Sequence, residues 1–175
     1  MTQTTTQSAE TTRPTRLGRV EAIFIAERSA GPMRAVEQVE AQVGAGLAGD
    51  RYAARRGTFS KAAQDAEPTP PDAQVTLIEA EAVEAAAREY EIALDPSETR
   101  RNILTRGAAL NHLVGRAFTI GNEVVLRGIK LCEPCGHLEK LTRQGVRKAL
   151  IHRGGLRAEV VAGGVIRQGD SLCAS

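Results

Sequence analysis

At 175 residues, with 23 Lys and Arg against 21 Asp and Glu, the chain is long enough for one domain with a real core and carries a net charge of only +2. That balance gives no footprint for broad nucleic-acid binding, and 3% aromatic residues without Trp leave no stacking platform for bases. The odd count of three cysteines, the lack of an apolar signal core and the lack of any apolar stretch near the roughly 18–20 residues of a membrane span predict free thiols in a reducing, cytoplasmic setting, with no membrane partner.

Residues 1–16 are polar and Thr-rich and read as a disordered tail ahead of a single domain over 17–175. Leu17 to Ala26 is the first strand, ended by Ser29-Ala30-Gly31-Pro32. Apolar positions return between Val36 and Val43, and Gly44 to Tyr52 forms a Gly-rich loop. No Gly-Lys-Ser/Thr follows, so it is not a phosphate loop of the Walker type. Residues 53–73, with Pro68-Thr69-Pro70-Pro71 at their end, read as a long surface loop, a length uncommon unless functional or disordered. Gln74 to Ile78 is a short strand. Glu79 to Tyr90 is a structural helix in which Ala82, Ala86 and Tyr90 share a face with Ile78, and Glu84 to Arg88 is a favourable i,i+4 pair. Asp95-Pro96-Ser97 breaks that pattern, and Ala109 to Val114 forms a helical turn or two closed by Gly115.

Ala117 to Gly121 and Val124 to Leu131 read as strands joined at Gly121-Asn122. A helix then follows the cysteines, offers Leu138, Leu141, Gly145, Ala149 and Leu150 to a core, and is capped by Arg153-Gly154-Gly155. Leu156 to Val161 and Gly164 to Arg167 are further strands, before a turn at Gln168-Gly169-Asp170 and a short tail. Seven or eight strands with two helices, not alternating regularly, predict a mainly β fold with flanking helices, of the α+β class. A mixed or antiparallel barrel fits that count better than a doubly wound sheet.

The chemistry centres on Cys132-Glu133-Pro134-Cys135. Pro134 offers no N–H to a ladder, so the strand stops there and Cys135 falls at the mouth of the following helix. Unpaired N–H groups and the positive dipole end favour an anion there, which predicts a lowered pKa and a reactive Cys135. Three other readings stand beside this one. A zinc pair needs two more ligands from His112, His137, His152 and Cys173, and no second Cys-x-x-Cys supplies them. A thioredoxin-like redox pair has its strand-to-helix context but lacks the βαβ layout. Two buried structural cysteines are the plainest alternative. Upstream, Arg100, Arg101 and Arg106 flank Asn102. A solvated basic surface is the ordinary state of such a cluster. In an alternating strand, however, Arg100, Asn102 and Leu104 point one way and Arg101, Ile103 and Thr105 the other. One arginine then looks into a polar cavity, where its fork suits phosphate or carboxylate. His152-Arg153 either adds to that site or caps the helix.

Gly49-Asp50-Arg51-Tyr52, Arg101-Asn102-Ile103, Leu110-Asn111-x-Leu113-x-Gly115, Phe118-x-Ile120-Gly121, Leu131-Cys132-Glu133-Pro134-Cys135, Arg153-Gly154-Gly155-Leu156 and Gly169-Asp170 follow one another in an order that resembles the MOSC domain. That domain is the C-terminal part of molybdenum-cofactor sulfurases, and the resemblance covers residues 17–172. It implies a β-barrel-like fold with one key cysteine, which carries sulfur as a persulfide or ligates molybdenum of the pterin cofactor, molybdopterin. By its place in the Pro-Cys motif, Cys135 is that catalytic residue and metal ligand, with Arg101, Asn102 and Arg106 as cofactor-binding residues. The resemblance further implies a sulfur donor such as a cysteine desulfurase. If the reaction is instead reduction of an N-hydroxylated substrate, it implies an external electron donor, since no flavin or iron–sulfur motif is present. No pyridoxal lysine of an aminotransferase-like domain is recognised. The contrary expectation is a non-catalytic module that binds a small anion and keeps its cysteines structural.

Overall fold

Alternating apolar runs become strands, and seven of them close on one another. The computed structural model describes residues 14–57 and 68–174. Its first strands are β1 (Arg16–Ile25), β2 (Arg34–Val36), β3 (Gln38–Gln42), β4 (Gly46–Leu47), β5 (Val75–Glu79) and β6 (Ile103–Arg106). After them come β7 (Ala117–Ile120), β8 (Val124–Leu131), β9 (Leu156–Ala162), β10 (Gly164–Arg167) and β11 (Ser171–Ala174). The helices are α1 (Ala80–Tyr90), α2 (Gly136–Leu141) and α3 (Val146–Ala149), with 3-10 turns at Pro71–Ala73, Pro96–Thr99 and Leu110–Leu113.

The barrel runs β1-β11-β7-β8-β9-β5-β6 and returns to β1, which also carries β2 on its far end. Every pairing around it is antiparallel except β5 with β6, which is parallel and needs the crossover through α1. The expected mixed barrel with flanking helices is thus the fold. Ile23, Leu77, Ile103, Phe118, Leu126 and Leu156 fill its interior, and a small sheet β10-β3-β4 packs Val39, Leu47 and Ile166 onto the same core. Outside the barrel, α1, α2 and α3 share a second core, in which Val83, Ala86, Leu138, Val146 and Leu150 cover Ile78 and Leu104. That layer fixes where the chain leaves β8. Among the described residues, no helix is long and apolar enough to cross a membrane.

Several local expectations change. Ser171–Ala174, read as a tail, is the strand that closes the barrel by pairing with both β1 and β7. At the other end, Arg16 already pairs with Cys173, and the Thr15 carbonyl accepts from the Ala174 N–H at 2.8 Å. The expected tail otherwise lies outside the described residues, as do residues 58–67 of the long loop. The helix after the cysteines is two short helices, because Gly145 turns left-handed at φ +92°. Glu139 bridges the break by accepting from the Gly145 and Arg147 N–H groups, both at 3.0 Å. The Glu84–Arg88 pair does not form. Glu84 meets Arg106, which reaches it from β6 at 2.5 Å, and Arg88 turns to Glu89 at 3.1 Å.

Candidate functional site

The last bonds of β8 set the site. Cys132 donates its N–H to the Gly155 carbonyl at 2.7 Å, Pro134 ends the ladder, and Cys135 takes an extended conformation at the N-cap of α2. Its own carbonyl accepts from the Glu139 N–H at 3.2 Å, while its side chain makes no capping bond. The Cys135 side chain is exposed, Cys132 is buried and Cys173 is half-buried. The sequence therefore locates Cys135 where expected, at the start of a helix, though that helix has only six residues.

Cys135 lines an open hollow of about 510 Å³, solvent space included, together with Arg51, Arg100, Arg101 and Arg157; among the described residues, Glu133 is the one carboxylate on its wall. Each arginine is anchored differently. Arg51 is buried, pairs with Asp50 at 3.2 Å and lies over the Tyr52 ring at 4.8 Å. Arg157 reaches from β9 to the Asp72 carbonyl at 2.9 Å. Arg100 donates to the Gly31 carbonyl, and burial together with the nearby Arg51 charge holds its pKa below the ordinary arginine value. An anion in the hollow would relieve that repulsion. Arg101 is 7% exposed, and all three of its guanidinium nitrogens donate to backbone carbonyls.

The strand alternation expected over 100–105 does not hold, because β6 begins only at Ile103 and Arg100 is left-handed at φ +64°. That turn breaks the pleat, so Arg100 and Arg101 reach one hollow instead of opposite faces. Asn102 is placed elsewhere. Its Oδ1 accepts from the Thr76 N–H and hydroxyl at 3.2 and 2.8 Å, and its Nδ2 donates to the Phe24 carbonyl and Asp50 Oδ1, both at 3.2 Å. Two donors and two lone pairs are the whole capacity of an amide, so the cofactor-binding role expected of Asn102 finds no free group. Arg106 is also apart. It is bridged to Glu21 and Glu84 beside a second hollow floored by Val83, Leu94 and Leu104, and does not line the one at Cys135.

Arg51 and Tyr52 carried a signal in the Gly-Asp-Arg-Tyr run, but Arg157 is the second residue of β9 with nothing local to mark it. His137, weighed as a zinc ligand, lines the same hollow as Cys135. Among the described residues, no three His, Cys, Asp or Glu side chains come together to hold a metal ion, so the zinc reading lacks its ligand set.

The MOSC domain family matches residues 49–173, a span that runs from the Gly-Asp-Arg-Tyr loop through the hollow to β11. The fold is similar to that of the YuaD protein from Bacillus subtilis, with a TM-score of 0.72 at 16% identity over 89% of this chain and 93% of that one. It is similar to YiiM from Geobacillus stearothermophilus, with a TM-score of 0.65 at 14% identity over 90% and 75%. YiiM from Escherichia coli gives a TM-score of 0.62 at 17% identity over 90% and 69%. A comparison with curated proteins finds no significant match. Identities this low carry the likeness of fold alone, whereas the family match spans most of the sequence and the whole hollow: the chain belongs to the MOSC domain family.

Proposed function

We propose that this molybdenum-cofactor-related protein is a sulfur carrier in which Cys135 holds a sulfane sulfur as a persulfide. MOSC domains are associated with the molybdenum cofactor. The observation that supports the reading is the contrast between two cysteines three residues apart. Cys135 faces a hollow rich in guanidinium groups, while Cys132 is 2% exposed and held in the β8–β9 ladder.

In the loading step, the Cys135 thiolate attacks the outer sulfur of a persulfide on a donor such as a cysteine desulfurase. The donor's S–S bond breaks and a new one forms on Cys135. The donor leaves as a thiolate and takes up the proton that Cys135 released, so no outside oxidant is needed. Guanidinium groups around the new bond stabilise anionic sulfur at each end of the transfer.

The donor set also fits the pterin cofactor, since a thiolate is a soft ligand for molybdenum and guanidinium forks match phosphate oxygens. Cys135 would hold the metal, and Arg51, Arg100 and Arg157 would face the anionic groups. Bound there, the cofactor would supply two-electron redox chemistry toward an N-hydroxylated substrate, drawing on an external electron donor.

Intact mass spectrometry with elemental analysis, on protein purified anaerobically without reductant, tests the assignment. Wild type and Cys132→Ser are expected to carry an extra sulfur that reductant removes, and Cys135→Ser to carry none. Equal loading in Cys135→Ser, or zinc in place of sulfur, would overturn it. Molybdenum that disappears in Cys135→Ser would select the metal-ligand role.

A further inference from the structure

Three segments far apart in sequence meet behind Cys135: the 3-10 turn ending at Thr99, Cys132 just after β8, and Gly154 just before β9. Arg101 joins them. Its Nε donates to the Gly154 carbonyl at 2.8 Å, one terminal nitrogen to the Thr99 carbonyl at 3.0 Å and the other to the Cys132 carbonyl at 2.9 Å. Only a planar fork spans three acceptors in this way; an ammonium is a single point on a flexible stem. Among the described residues, no carboxylate pairs with Arg101. The junction is also tight, since a Cβ on Gly154 would lie 2.4 Å from the Cys132 oxygen and 2.9 Å from Pro134 Cδ.

Cys135 follows Cys132 by three residues, one of them the stiff Pro134. Its side chain makes no capping bond, and the six-residue helix beyond it is short. The place of its sulfur is therefore inherited from the junction. We infer that Arg101 is a positioning residue, which sets the Cys135 sulfur through the backbone of Cys132, Glu133 and Pro134 and is not itself the anion ligand. The charges that meet the ligand are then Arg51, Arg100 and Arg157. This rests on Cys135 being the group that takes up sulfur.

The test measures sulfur loading of Cys135 from glutathione persulfide, an anionic donor, as a function of donor concentration. Arg101→Lys keeps the charge and loses the fork. Positioning predicts a maximal loading rate lower by about tenfold to a hundredfold, the size of effect that small misplacements produce, at an unchanged half-saturating concentration. Pro134→Ala, which loosens the same link with Arg101 intact, is expected to lower the maximal rate in the same way, and it stands in if Arg101→Lys does not fold. Glu123→Ala is the control for lost stability. It removes the acceptor of the Val165 N–H at 3.0 Å, in the turn between β7 and β8 at the opposite end of β8 from Cys132, and it should load at the wild-type rate. Neutral iodoacetamide checks that Cys135 remains a free, exposed thiol in each variant.

An Arg101→Lys variant with the wild-type maximal rate overturns the inference. So does one altered only in half-saturation, which would make Arg101 an anion ligand, or a Glu123→Ala variant that slows equally. A wild-type protein that does not load at all would instead bring down the sulfur-carrier reading, and the positioning role with it.

Discussion

A buried carboxylate persists only where hydrogen bonds and an opposite charge replace its water, and Asp50 has both. Its Oδ1 accepts from the Ala26 N–H, from Arg51 and from Asn102, at 3.0, 3.2 and 3.2 Å, while Oδ2 accepts from the Tyr52 N–H at 3.1 Å. Asn102 extends the network to Thr76 and Phe24. Truncating it leaves the Thr76 N–H and the Phe24 carbonyl short of a partner, at about 1–3 kcal/mol for each buried group left unsatisfied. Asn102→Ala is thus expected to lower the unfolding free energy by about 3 kcal/mol in a urea titration, with the Cys135 thiol still present and exposed. Unchanged stability would mean that water replaces the amide. Here sequence reading reaches a limit. Pro134 acts on its own neighbours, so the position of Cys135 is legible from a few residues. Whether Asn102 meets a ligand or its own fold depends on Phe24 and Asp50, which lie 78 and 52 residues away in the chain.

Between elements, Arg106 of β6 ties β1 to α1. Its bond holds the Glu21 carboxyl below the ordinary value of 4.5. The folded state then binds that proton less tightly than the unfolded chain. Its contribution is full above pH 4.5 and is lost as pH falls through the depressed value. Glu79 runs the other way, because burial raises its pKa although the Leu110 N–H is bonded to it at 2.7 Å. Its charge is unfavourable above the raised value, and that penalty is gone below pH 4.5. Urea titrations from neutral to acid pH separate the two. Glu21→Gln should be less stable than wild type at neutral pH, by less than about 1 kcal/mol for a partly exposed pair, and should converge on it in acid. Glu79→Gln, which keeps an acceptor for Leu110, should gain at neutral pH and also converge. A gap that stays constant with pH would refute the charge argument for that residue. The elements themselves were unevenly legible. The Ala-rich face of α1 is local, and so is the capping box at Asp95, where Glu98 accepts from the Asp95 N–H at 2.8 Å. The break between α2 and α3 falls at the left-handed Gly145, which an apolar periodicity running on to Leu150 passes over.

At the scale of the whole molecule, the barrel and the hollow share one seam. Leu156 of β9 pairs with Leu131 of β8 on one side and Leu77 of β5 on the other, and Gly155 stands just before it. Gly155 has φ +103°, and an added Cβ would fall 1.9 Å from the Leu77 carbonyl oxygen. Its own carbonyl takes the Cys132 N–H. A side chain there would force β5 and β9 apart, strain the backbone and loosen the end of β8 that presents Cys135. Gly155→Ala is accordingly expected to cost more than about 4 kcal/mol, a large share of the roughly 5–15 kcal/mol that holds such a domain. Gly136, the first residue of α2, is the counter-case, with open space around its Cβ position. Gly136→Ala should stabilise by about 0.4–1 kcal/mol by restricting the unfolded chain. Paired thermal and urea unfolding of the two variants decides between seam and spacer. A Gly155→Ala protein that melts with wild type would mean that β5 and β9 can part without opening the barrel, and that the site does not depend on its closure.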